Sequence, residues 1–241
     1  MSPDPKAYPL CSFFLAGYLS NNPNDEDNFP ADQFPAGLER YEQLFDSALK
    51  VLGISREALK KKSEFNFDSG NAANLEGGIG ILRLIEALRI EQFTNIMLVN
   101  PKKASSVADI TAEKNHEKVC FEIKTITKQS SGREGFFLEE QLYEKILESV
   151  PQARKQLEAS AQDLQCTVKI FVCVINWVDQ SIYLGRDSFQ HIVNRLEHDE
   201  TTGLHGVEVR ESLKGIDGVW FVLKMGNQFL FLNERGKSID H

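Results

Sequence analysis

The chain has 241 residues, of which 41% are hydrophobic and 26% charged, and a net charge of −8. This is ordinary globular composition, which excludes disordered and fibrous classes, and the length fits one domain with additions or two small ones. The acidic balance argues against a broad nonspecific grip on nucleic acid, which needs many cations on phosphates.

Residues 1–36 carry six of the eight prolines and an acidic NNPNDEDN stretch, and are expected to form an irregular lead partly packed through Phe13, Phe14 and Tyr18. The apolar run Leu10–Leu19 is about half of the roughly 20 residues needed to cross a bilayer. No basic region precedes it, so neither a membrane span nor a signal peptide is expected, and the expected location is cytoplasmic. Leu38, Tyr41, Leu44, Phe45, Ala48 and Leu52 recur at helical spacing and predict a helix from about Pro35 to Leu52, ended by Gly53. Ser55 is placed to cap a short helix through Lys61.

A buried helix is expected next, capped by Asn74 and apolar around most of Ile79–Ile90, with Gly77, Gly78 and Gly80 weakening its first turns. Strands follow at Asn95–Val99, Val107–Glu113 and Lys118–Thr127. After the polar loop KQSSGREG, a long helix is expected over Phe137–Leu164, broken near Pro151. The run KIFVCVI inside Thr167–Trp177 reads as a central strand covered on both faces. The remainder reads as short strands (Ser181–Leu184, Val207–Glu211, Val219–Met225, Phe229–Leu232) and one helix near Ser188–Leu196. The four cysteines, Cys11, Cys120, Cys166 and Cys173, form no C-x-x-C pair. They read as reduced and buried, an intracellular pattern, with Cys166 and Cys173 on opposite faces.

The chemistry concentrates in VADITAE (107–113) and KVCFEIK (118–124). A symmetric turn about Asn115 and His116 sets Glu113 opposite Lys118 and Asp109 opposite Glu122, with Lys124 on the same face as Glu122. Ala108, Ile110 and Ala112 against Val119, Phe121 and Ile123 make the apolar face. Directly opposed like charges destabilise a strand pair. A divalent cation removes the conflict between Asp109 and Glu122, because Mg²⁺ accepts carboxylate oxygens while keeping several waters. Lys124 is then placed to hold a water or a scissile phosphate. A hairpin with one solvated face produces the same alternation of charges, with Lys124 simply neutralising both acids, so both readings stand at this point.

The order helix, strand, strand, strand, helix, apolar strand, together with Asp109 and Glu122-Ile123-Lys124, resembles the PD-(D/E)XK nuclease superfamily, which includes restriction endonucleases and Holliday-junction resolvases. The resemblance covers about residues 74–177, and Ala108 stands where the motif has proline. It implies an α/β fold with a restriction-endonuclease-like αβββαβ core and a mixed central sheet, an N-terminal helical extension (1–73) packed on it, and C-terminal α/β additions within a nuclease domain spanning 74–241. It further implies Asp109, Glu122 and Lys124 as catalytic residues, Mg²⁺ or Mn²⁺ as cofactor, and hydrolysis of DNA, with RNA as a second polymer. Family members often add an acid from the first helix; Glu76 is the candidate metal ligand and Glu86 the runner-up. A homodimer would let such an enzyme cut both strands. The alternative function is a non-catalytic binding or assembly protein on the same fold.

From Lys102 to Arg133 there are seven Lys or Arg against four Asp or Glu, and Lys128 and Arg133 are candidate phosphate contacts in the loop after the third strand. The glycines after Glu76 open a helix without a P-loop lysine or a GxGxxG pattern, so close packing is the better reading than a nucleotide site. No serine lies in a G-x-S-x-G elbow. His116, His191, His198 and His205 are scattered, and Trp177 and Trp220 read as packing residues.

Overall fold

The structure is a computed structural model that describes residues 3–24, 34–62, 67–99, 108–126, 139–175, 213–223 and 226–240. Ser181–Leu184, Ser188–Leu196 and Val207–Glu211 lie outside these residues, as do Trp177, His191, His198 and His205.

The first described element corrects the expectation of an irregular lead: helix α1 spans Pro9–Asn21. Pro9 stands in the first turn, where a missing N–H costs nothing, and no local side chain caps the helix. The cap comes instead from Glu42 of α2 (Phe34–Leu52), whose carboxylate accepts the N–H groups of Leu10 at 2.8 Å and Cys11 at 2.7 Å. An acid there satisfies orphan donors at the positive end of the helix. α1 buries Cys11, Phe14, Leu15, Tyr18 and Leu19, and Phe14 stacks on Phe45 of α2 with ring centroids 4.4 Å apart.

Helix α3 (Arg56–Lys60) begins at Ser55, whose hydroxyl accepts the Ala58 N–H as the sequence predicts. Helix α4 (Ala72–Ile90) is capped by Asn71 rather than Asn74. Gly80 serves packing: a Cβ built on it would strike the Thr125 hydroxyl, so the missing side chain lets α4 lie close on the sheet, whereas one on Gly77 would meet nothing.

Among the described residues six strands form one mixed sheet in the order β1 to β6: Thr94–Leu98, Ile110–Lys114, Glu117–Ile126, Val168–Ile175, Gly218–Leu223 and Gly226–Phe231. The pairs β1–β2, β2–β3 and β5–β6 are antiparallel, whereas β3–β4 and β4–β5 are parallel. Helix α5 (Glu139–Asp163) is the crossover from β3 to β4 and packs on both strands. It runs unbroken through Pro151, contrary to expectation. Pro151 is exposed, while Tyr143, Ile146, Val150, Ala153 and Leu157 hold the other face of the helix against the sheet. A short helix, α6 (Glu234–Lys237), follows β6.

The chain is therefore α/β, with an open sheet between two apolar layers. One layer joins α1, α2 and α4 to Ile110, Ala112, Val119, Phe121, Ile123, Val172 and Trp220. The described residues ahead of α4 thus contribute to the same continuous core as α4. The other layer joins α5 to Ala108, Cys120, Ile126, Phe171 and Cys173. All four cysteines are buried free thiols. Cys166 lies ahead of β4, where strand alternation does not yet apply, and it shares the α5 layer with Cys173 instead of facing the opposite side.

Candidate functional site

The hairpin has the register its sequence predicts. Asn115 and His116 both adopt positive φ (52° and 66°), the conformation that two-residue hairpin turns require. Glu113 pairs with Lys118, and Ile110 with Phe121. The alternation then breaks. The Asp109 N–H also donates to the Phe121 carbonyl, at 3.0 Å, so Asp109 and Ile110 address the same residue of β3. Such a bulge turns a strand and re-aims its side chains. It moves Ala108 out of the apolar face with Ile110 and into the α5 layer, correcting the expected alternation. Asp109 Oδ2 reaches across to accept the Ile123 N–H at 2.8 Å. Asp109 is therefore tied to the backbone on either side of Glu122.

Glu122 is 1% exposed, in the sheet face under α5. Its Oε1 lies 3.0 Å from Lys124 Nζ, while Oε2 is buried with no hydrogen-bond donor. Burial, and then the negative charge of Asp109, push the Glu122 carboxyl up to about 8. The Lys124 ammonium and a hydrogen bond from Gln156 of α5 pull the other way without cancelling the rise. Asp109, Glu122 and Lys124 are thus brought together at the end of the hairpin, with Lys124 the most solvent-exposed side chain of the Glu122–Lys124 pair.

The other sequence candidates fall elsewhere. Glu76 is half-buried on α4, and its charge acts on Arg83, another α4 residue. Glu86 is held on the α2 side by hydrogen bonds from Ser47 and Arg89. Among the described residues no group of three or more His, Cys, Asp or Glu side chains gathers to hold a metal ion, so Glu76 does not complete such a cluster with Asp109 and Glu122. Lys128 and Arg133 lie outside the described residues. His116 is exposed in the turn, and Trp220 packs against Phe93, Phe121 and Phe229 as expected of a core residue.

Three residues near these strands carry no motif. Arg83 Nη1 is 3.4 Å from the Ile175 carbonyl at the end of β4, and burial lowers its guanidinium from its usual value. Gln156 hydrogen-bonds Glu122, and Ser160, fully buried, accepts the Ala108 N–H at 2.6 Å. Only Ser160 left a trace in the sequence, as a polar residue on the buried stripe of α5.

The donor set suits a hard divalent cation: two carboxylates, one of them buried with an unsatisfied oxygen and destabilised by the other's charge. Asp109 and Glu122 would hold such an ion. No helix among the described residues is long and apolar enough to cross a membrane. No protein-family model, curated protein or solved structure matches this chain.

Proposed function

We propose that this chain is a metal-dependent nuclease that hydrolyses phosphodiester bonds of DNA, with a PD-(D/E)XK-like, restriction-endonuclease-like core built from α4, β1, β2, β3, α5 and β4. The reading is supported above all by the buried Glu122, whose Oε2 has no donor, set beside Asp109 and within 3.0 Å of Lys124. Mg²⁺ or Mn²⁺, held by the two acids, would supply Lewis-acid polarisation of a phosphoryl oxygen and a lowered pKa for bound water. The chain's own groups do the rest. Asp109 is oriented by the Ile123 N–H, and Glu122 by Lys124 and Gln156. Lys124, 27% exposed, is the group that can leave its ion pair to meet a phosphate oxygen and stabilise the charge that develops there. Lys128 and Arg133 remain the candidates for phosphate contacts; a homodimer would place two such sites on a duplex.

The test is Mg²⁺- and Mn²⁺-dependent cleavage of duplex DNA, single-stranded DNA and RNA by the wild-type chain and by Asp109→Ala, Glu122→Ala and Lys124→Ala. Cleavage is expected to vanish in all three folded variants; cleavage that survives in all three removes the assignment. A second reading, a non-catalytic binding or assembly protein on this fold, is favoured by the lack of a three-acid cluster among the described residues. It is selected if calorimetry finds no Mn²⁺ binding and no polymer is cut.

A further inference from the structure

We propose that Ser160 and Gln156 of α5 are positioning residues for the two acids: Ser160 fixes the backbone that presents Asp109, and Gln156 holds the Glu122 carboxylate. This rests on the metal-site reading above and extends it to a helix that the hairpin motif does not include.

Residues four apart on a helix lie on one face, one turn above the other. Gln156 and Ser160 therefore approach the sheet together, Gln156 at Glu122 and Ser160 at Ala108, the residue before Asp109. Ser160 is 0% exposed and interrupts a stripe that is otherwise apolar at Val150, Ala153 and Leu157. A serine in a helix commonly turns its hydroxyl back onto its own helix, as the half-buried Ser149 does to the Lys145 carbonyl at 2.8 Å. Ser160 instead accepts the N–H of Ala108 at 2.6 Å, in a fully buried bond. Ala108 immediately precedes Asp109 at the point where the bulge has broken the regular ladder. That N–H has lost its place in the sheet, and without Ser160 it would be a buried donor with no partner, an arrangement that costs about 1–3 kcal/mol.

Gln156 acts on the other acid. Its side chain hydrogen-bonds the Glu122 carboxylate from α5. Glu122 thus has one tie from the hairpin and one from α5, Lys124 and Gln156, while Asp109 is held by the Ile123 N–H and follows Ala108, whose N–H is fixed by Ser160. Groups that orient metal ligands from behind typically change metal affinity or activity 10–100-fold when removed.

The experiment uses the full chain and Mn²⁺ as the probe. Gln156→Ala, Ser160→Ala and Ser160→Thr are compared with wild type by electron paramagnetic resonance of free Mn²⁺, by kcat and KM on a DNA duplex, and by thermal melting. The expected result is a Mn²⁺ dissociation constant about tenfold weaker or more in both alanine variants. Their kcat should fall by a similar factor at nearly unchanged KM for DNA, and Ser160→Thr, which keeps the hydroxyl, should recover most of the loss. A purely structural role would lower the melting temperature and leave Mn²⁺ affinity and kcat of the folded fraction at wild-type values, and that result overturns the proposal. Gln156 is half-buried, so Gln156→Ala decides the matter alone if Ser160→Ala does not fold. Failure of the underlying reading looks different: wild type itself binds no Mn²⁺, or Asp109→Ala binds it equally well.

Discussion

Replacing Glu122 by glutamine should change how stability depends on pH, in a direction fixed by its surroundings. In an unfolded chain this carboxyl loses its proton near 4.5; in the native protein, burial and Asp109 hold the proton on to about 8. Between those values the native state binds one more proton than the unfolded state, so stability falls as pH rises, and it levels off above the native value. One group contributes at most about 1.4 kcal/mol per pH unit, so the whole interval is worth on the order of 5 kcal/mol. Glutamine keeps the shape of the side chain and removes the ionisation. Urea denaturation followed by tryptophan fluorescence, run from pH 5.5 to 8.5 without divalent ions, should show wild type losing several kcal/mol relative to Glu122→Gln as pH rises. The difference between the two chains isolates this carboxyl from every other titrating group. Curves that run parallel across this range, or a Glu122→Gln chain that is the less stable at pH 8.5, would refute the view of Glu122 as a buried acid strained by its neighbour.

The same logic predicts that Mn²⁺ stabilises wild type most at high pH, by about 2.7 kcal/mol at one hundred times its dissociation constant, and leaves Asp109→Ala unchanged; melting curves with and without the ion check this. Glu42→Ala should destabilise the fold by about 1–2 kcal/mol through loss of the cap on α1, measured by chemical denaturation, with Glu42→Gln losing less because its amide oxygen still accepts one N–H. Gly80→Ala should cost about 1–3 kcal/mol, since the new Cβ meets Thr125, and the double variant Gly80→Ala/Thr125→Ala should regain most of it. Additive effects in that pair would mean the two residues do not press on each other.

The hairpin was legible because its signals are local and redundant. Alternation over Ile110–Glu113 and Val119–Lys124 and a two-residue turn at Asn115–His116 leave one register, and that register is the one observed. The α-β-β-β-α-β order could be read for the same reason: each element carries its own period. Helix α1 was not legible, because its cap is Glu42, some thirty residues away, and because apolar residues fall on all sides of Leu10–Leu19 although only the stripe Cys11, Phe14, Leu15, Tyr18 and Leu19 is buried. Proline in the lead pointed to irregularity, yet Pro9 is in the one turn of a helix that tolerates it. Pro151 misled in the opposite sense, since tertiary packing carried α5 through a local breaker. At the candidate site, strand alternation put Glu122 and Lys124 on one face, whereas Asp109 does not stand in the regular pairing opposite Glu122 that a symmetric hairpin predicts. The bulge at Asp109, the sharing out of Ala108 and Ile110 between two layers, and the contributions of Gln156 and Ser160 all depend on where α5 lands. No spacing within the hairpin encodes that.

The crossover through α5 also has a bearing on how the molecule assembles. The bond from Ile123 to Asp109 closes a loop of 14 residues, whereas that from Ala108 to Ser160 spans 52. Short loops close quickly, and non-local parallel pairing is slow. The hairpin can therefore form early with both carboxylates still hydrated and ionised, and only the docking of α5 and β4 strips their water. At neutral pH that docking draws a proton out of solution, so a pH-indicator dye in a stopped-flow refolding experiment would time the moment the acids are enclosed.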